Sequence, residues 1–167
     1  MQFAPGHLIL LRTAHAGWSL YSTHNHSFSQ VYTRWSEAVL AGVGLISTDV
    51  RQYMQNLGSN NPALGDRALH AGALFLRGRF QDLKDHLTIL VGSEYDDGTW
   101  YAVQFKGDDG AFSCSCPDYQ RSLGAAGITI PRWHGQVVCK HIIAVWLHDL
   151  YRGENREEPH AMAHTGT

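Results

Sequence analysis

The chain has 167 residues, enough for one domain or for one domain with an added subdomain. It is 44% hydrophobic and 17% charged, with a formal net charge of -2; this excludes a global basic footprint for nucleic acid and leaves only a local basic face possible. The apolar run from Leu8 to Leu11 is cut by Arg12 before it could span a bilayer, and no secretory leader is visible.

In chain order, residues 7–13 and 17–23 read as short strands around the turn His15-Ala16-Gly17, followed by a polar break at His24–Ser27. A helix is predicted over 29–41, with Val31, Trp35, Ala38 and Val39 on one stripe and Gly42 as its stop. Ser47-Thr48-Asp49 can cap a second helix running to Leu57, and residues 58–62 form the clearest break of the first half. Pro62 suits the first position of a third helix carrying Leu69, Ala73, Leu76 and Phe80. Near Asp85 the pattern changes. Strands at 86–91, 100–105 and 111–114, with turns at Asp96-Asp97-Gly98 and at Gly107–Gly110, predict a three-stranded antiparallel meander. A final helix over 138–150 carries Ile142, Val145 and Trp146 and can end at Gly153. Trp18, Trp35, Trp100 and Trp146 fall in periodic segments and are assigned to the core.

The strongest chemistry lies at Cys114, Cys116, Cys139 and His141, which include every cysteine of the chain. Three thiolates and an imidazole fill a tetrahedral zinc shell. Cys114 and Cys116 are two apart, so an extended segment turns both to one side. Cys139 and His141 are also two apart. That spacing works at a helix start, where Cys139 precedes the first turn and the helix N-terminus favours a thiolate. No ligand position is left for water, the mark of a structural site holding one Zn(II) per chain. A buried apolar Cys139, a redox C-x-C pair and a catalytic zinc are the alternatives; neither H-E-x-x-H nor a deaminase pattern supports the last. Reduced cysteines with metal fit a cytoplasmic setting.

The segments F-S-C-S-C-P-D-Y (Phe112 to Tyr119) and V-V-C-K-H-I-I-A-V-W-L (Val137 to Leu147) resemble the SWIM zinc-finger family. Its form is C-x-C, a variable stretch, then C-x-H. Cys114, Cys116, Cys139 and His141 match its ligands, and Asp118 and Tyr119 match the acidic and aromatic positions after the first pair. The resemblance covers roughly residues 68–152. It implies zinc binding and a structural and interaction module, binding DNA or protein, of the kind that accompanies DNA-processing or mobile-element proteins; it implies no single reaction.

The resulting expectation is an α+β chain: an N-terminal hairpin and helices, the three-stranded meander, then a zinc-held C-terminal helix. Residues 1–62 form a region of unknown role, 63–153 the helix, meander and finger, and 154–167 a disordered tail. Arg121, Arg132, Trp133, Lys140 and Arg152 are candidates for contact with DNA or with a DNA-processing protein. A protein-interaction adaptor without nucleic-acid contact is the alternative. An enzyme built on His15, His24, His26, Glu37 and Asp49 lacks a nucleophile beside a base, so no catalytic role, small-molecule substrate or membrane partner is expected.

Overall fold

Alternation of apolar residues in the first segment makes a hairpin with one buried face. Strand β1 (Leu8–Arg12) pairs antiparallel with β2 (Trp18–Ser22), Leu10 opposite Leu20, and Leu8 and Leu20 point into the core. The structure, a computed structural model, describes residues 3–106, 111–124 and 132–157, with 156 and 157 described by their backbone alone. The predicted polar break returns as a third strand, β3 (Ser27–Phe28), on the far side of β2. Ser29 fixes it: its amide donates to the Leu20 carbonyl, and its hydroxyl accepts from the Leu20 amide at 3.0 Å. Polar side chains hid a strand whose cohesion is carried by backbone.

Helix α1 (Trp35–Ile46) starts later than predicted and runs through Gly42. A Cβ on Gly42 would fall 2.9 Å from Leu20 Cδ2 and 3.0 Å from Leu76 Cδ1, so this glycine serves close packing and not termination. Helix α2 (Thr48–Asn60) is capped by Ser47, whose hydroxyl accepts from the Val50 amide at 3.0 Å. The predicted break at 58–62 shrinks to Asn61. Gly58 stays helical and faces Gly65 of α3 (Pro62–Arg77), where its missing Cβ would lie 3.3 Å from the Gly65 Cα. Helix α3 begins at Pro62 and ends at Gly78 in the left-handed region, φ 63°.

The meander is four-stranded, not three-stranded. Its order is β4 (Phe80–Asp82), β5 (Thr88–Gly92), β6 (Trp100–Phe105) and β7 (Phe112–Cys114), all antiparallel. Phe80 continues the apolar period of α3 and so reads as helix, yet the Gly78 cap turns it into the first strand. Trp100 is 40% exposed beneath Arg79 and not in the core. The turn at 107–110 lies outside the described residues. Two further elements go beyond the sequence prediction: helix α4 (Pro117–Gly124) and the short hairpin β8 (Arg132–Trp133) and β9 (Gln136–Val137). Helix α5 (Lys140–Glu157) continues through Gly153, so residues 154–157 of the predicted tail are helical. Glu154 accepts from the Ser47 hydroxyl at 2.8 Å, pinning α5 to the α1–α2 junction; residues 158–167 lie outside the described residues.

Helix α3 is central, with α1, α2 and α5 packed against it. The N-terminal sheet covers α1 and α3, and the four-stranded sheet rests on α5. A single apolar cluster runs from Leu8 to Leu147 and crosses the position of the 62/63 division. Among the described residues, no helix is long and apolar enough to cross a membrane.

Candidate metal centre

Cys114 closes β7 opposite Val103 of β6. Pairing continues one residue further: the Ser115 amide donates to the Ala102 carbonyl, and its hydroxyl accepts from the Ala102 amide at 2.9 Å. Ser115 is thus held against β6 while the cysteines on either side of it converge. Cys116 then caps α4. Its carbonyl accepts from the Gln120 amide, its Sγ accepts from the Tyr119 amide at 3.3 Å, and Pro117 takes the first helical position, where no N–H is needed.

Cys139 repeats the arrangement at α5. Its carbonyl accepts from the Ile143 amide and its sulfur from the Ile142 amide, with His141 in the first turn. Both sulfurs stand where helices place Ser or Asp. Two helix N-termini therefore direct their partial positive charge at thiolates.

The ligand atoms of Cys114, Cys116, Cys139 and His141 all lie within 4.8 Å of one another. The four residues are 0–2% exposed. Neither ring nitrogen of His141 has a hydrogen-bond partner, although both are buried. A buried imidazole left unpaired costs free energy, and a metal ion is the partner this donor set fits. The Cys3His cluster is capable of holding a metal ion. As thiols the three cysteines are unequal. Hydrogen bonds from Cys114 and then Cys139 hold Cys116 far below its ordinary value. Bonding to Cys116 and then Cys139 raises Cys114 far above it. Cys139 is pulled down by its bond to Cys114, but Cys116 and burial win and push it up to about 12.

The surroundings give the neighbouring motif residues physical roles. Asp118 receives Arg67 of α3 at 3.2 Å, tying α4 to the helical layer. The Tyr119 hydroxyl donates to the Phe112 carbonyl at 3.0 Å. Tyr101 places its ring 4.6 Å from that of His141. Sequence reasoning missed a polar cluster beside the centre. Glu94, with an 11% exposed side chain, meets Lys140 at 2.7 Å and His70 at 2.9 Å. Burial raises the Glu94 carboxyl, but the bonds from Lys140 and His70 overcome it and hold the group below its ordinary range.

The contact candidates are not gathered by shared contacts. Lys140 is paired with Glu94, and Arg152 with Asp82 at 2.7 Å. Arg132 donates to the Gly135 carbonyl, while its own carbonyl accepts from Asn61. Trp133 packs partly against the core, and Arg121 is exposed on α4. Two histidines of the enzyme reading have separate partners: His24 stacks on His7, and His26 meets the Tyr21 hydroxyl at 2.8 Å. Glu37 accepts from the Arg34 amide, and Asp49 lies in the first turn of α2. Comparison with protein-family models finds none that matches the chain, and comparisons with curated proteins and with solved structures find no match either.

Proposed function

We propose that the centre holds one structural zinc ion and that the chain is a SWIM-type zinc module, acting as a non-catalytic interaction adaptor in a DNA-processing assembly. The observation that carries the reading is the closed set of four buried ligand atoms, which includes an imidazole with no other partner. Three thiolates with one imidazole favour zinc, and four protein ligands leave no position for substrate or water. The protein-interaction form is favoured over direct DNA contact because Lys140 and Arg152 are already engaged by carboxylates.

Nucleic-acid binding is a second reading. It is supported by exposed Arg121 and Arg132, the latter adjacent to Trp133. Partner recovery from cells with and without nuclease separates the two. The adaptor reading expects a partner that survives nuclease, and a shallow salt dependence for any DNA affinity. Loss of all partners on nuclease treatment, with a steep salt slope, overturns it. Metal analysis of the purified chain should return one zinc per chain, and a chain without bound metal refutes the centre.

A further inference from the structure

Strand β1 is the outer strand of its sheet, and among the described residues nothing pairs with its other edge. The phase of its hydrogen bonds fixes what that edge presents. Thr23 donates to the His7 carbonyl, and Thr13 donates to that of Gly17. In the register of the hairpin, residues 7, 9, 11 and 13 are therefore the ones that exchange bonds with β2. Leu10 and Arg12 turn their backbone N–H and C=O groups to the open side; Leu8 has the same phase but is buried. Protected edges commonly carry lysine, proline or a bulge. This one reads Leu-Ile-Leu-Leu-Arg, with Ile9 44% and Leu11 38% exposed.

The open edge borders a cleft of about 570 Å³ whose lining includes Leu10, Trp18, Trp35, Arg77, Arg79 and Tyr95. Glu94 and Asp97 line it as well, so any positive excess comes from the way these groups are paired and from Arg12 beside it. Residues 1–36 contain neither Asp nor Glu, so the whole N-terminal sheet lacks a carboxylate, and Arg12 stands on its edge. Arg77 and Arg79 share a single carboxylate, that of Asp97, which is 84% exposed. Glu94 is already matched by Lys140 and His70.

We propose that the open edge of β1 docks an extended peptide of a partner protein, with alternating apolar and acidic residues, as an added fourth strand. Backbone groups of Leu10 and Arg12 supply the ladder, the exposed Ile9–Leu11 face takes the apolar side chains, and the alternate side chains turn to the cleft side, where Arg12, Arg77 and Arg79 take carboxylates. The assignment rests on the adaptor reading and gives it a surface.

The test starts from a phage-displayed library of random nine-residue peptides selected on the zinc-loaded full chain. Enriched sequences should alternate apolar with acidic residues, and replacing their acids by lysine should weaken binding tenfold or more. An unenriched pool, or equal binding of the lysine version, overturns the proposal. Amide exchange read by NMR then locates the peptide. A saturating selected peptide should slow exchange tenfold or more at Leu10 and Arg12 while leaving Ile9 and Leu11 unchanged, since those two are already bonded within the hairpin. Protection without this alternation refutes strand addition, and this arm needs no variant. Leu10→Pro removes an outward donor and no bond to β2, so it should abolish peptide binding while zinc content is kept. A nuclease-resistant partner captured equally by wild type and L10P defeats the edge alone. Absence of any such partner, with salt-steep DNA binding, defeats the adaptor reading itself.

Discussion

Stripping the metal should unfold the chain locally. The ligands come from β7, the residue capping α4, the residue capping α5 and the first turn of α5. Without an ion, the buried His141 nitrogen that would bind it stays unpaired at a cost of about 1–3 kcal/mol. Zinc contributes roughly 10–16 kcal/mol in small fingers, comparable to or larger than the roughly 5–15 kcal/mol that holds a whole domain. The centre should therefore not survive chelation. Helices α1 to α3 contribute no ligand and bury Val39, Val43, Val50, Leu57, Leu64 and Phe75 at 2% exposure or less. Each such side chain contributes about 1.5–3 kcal/mol by burial, enough for that layer to persist. Hydrogen exchange on chelated protein should show lost protection at the Tyr119 amide, which is bonded to the Cys116 sulfur, and at the Ile142 amide in the first turn of α5, and retained protection through α3. Cys139→Ser should reproduce the pattern and lose the metal. Unchanged protection at those two amides after chelation, or stoichiometric zinc in C139S, refutes the reasoning.

Gly78 and Gly135 both have positive φ, 63° and 81°, but a Cβ at Gly78 would lie 2.5 Å from Gly6 N and Pro5 C, while at Gly135 it meets nothing within 4 Å. Gly135→Ala should therefore cost about 1 kcal/mol of backbone strain and Gly78→Ala about 1–3 kcal/mol more, read as the difference between their urea midpoints at constant m. His148 stacks on Phe80 at 4.3 Å, and burial, then the Arg152 charge, lowers it to about 4, against a small upward pull from Asp82. Its folded form binds the proton less readily than the unfolded chain, so its contribution is complete above pH 6.5 and fades as pH falls toward 4. His148→Phe should flatten the stability profile in that window, as measured by denaturation at several pH values. Trp133→Ala should keep the zinc and weaken partner capture; a large fall in melting temperature would show that its packing against the core dominates.

The Cys3His cluster was legible because the spacing of Cys114 and Cys116, and of Cys139 and His141, maps directly onto an extended segment and a helix start. The span of β6, a cap within Ser47-Thr48-Asp49 and the Pro62 start were legible for the same local reason. The glycines were not. Gly42 and Gly58 read as breaks because propensity is a local quantity, whereas their use is decided by Leu20, Leu76 and Gly65, which only the folded chain brings near. Helix α4 carried a usable signal in Cys116-Pro117-Asp118, a cap, a first-position proline and an acid in the first turn, but cysteine does not look like a capping residue until its sulfur is seen accepting an amide. The β8–β9 turn carried one too: His134 and Gly135, with φ 48° and 81°, form the two-residue turn that strand twist prefers.

The double use of Cys116 and Cys139 as caps bears on what the centre can do. Three thiolates around a divalent ion leave an excess negative charge of about one. Lys140 is the nearest sequence candidate to offset it, yet its ammonium is directed to Glu94 and lies over the Tyr95 ring. The compensation falls instead on backbone: the amides of Tyr119 and Ile142 donate to sulfur, and the Cys116 amide approaches Cys114 Sγ at 3.4 Å. Sulfurs held by backbone amides cannot reorient without unwinding the first turns of α4 and α5. A metal ion held this way would fix the angle between β7 and two helices, which is what the structural-zinc proposal requires of it.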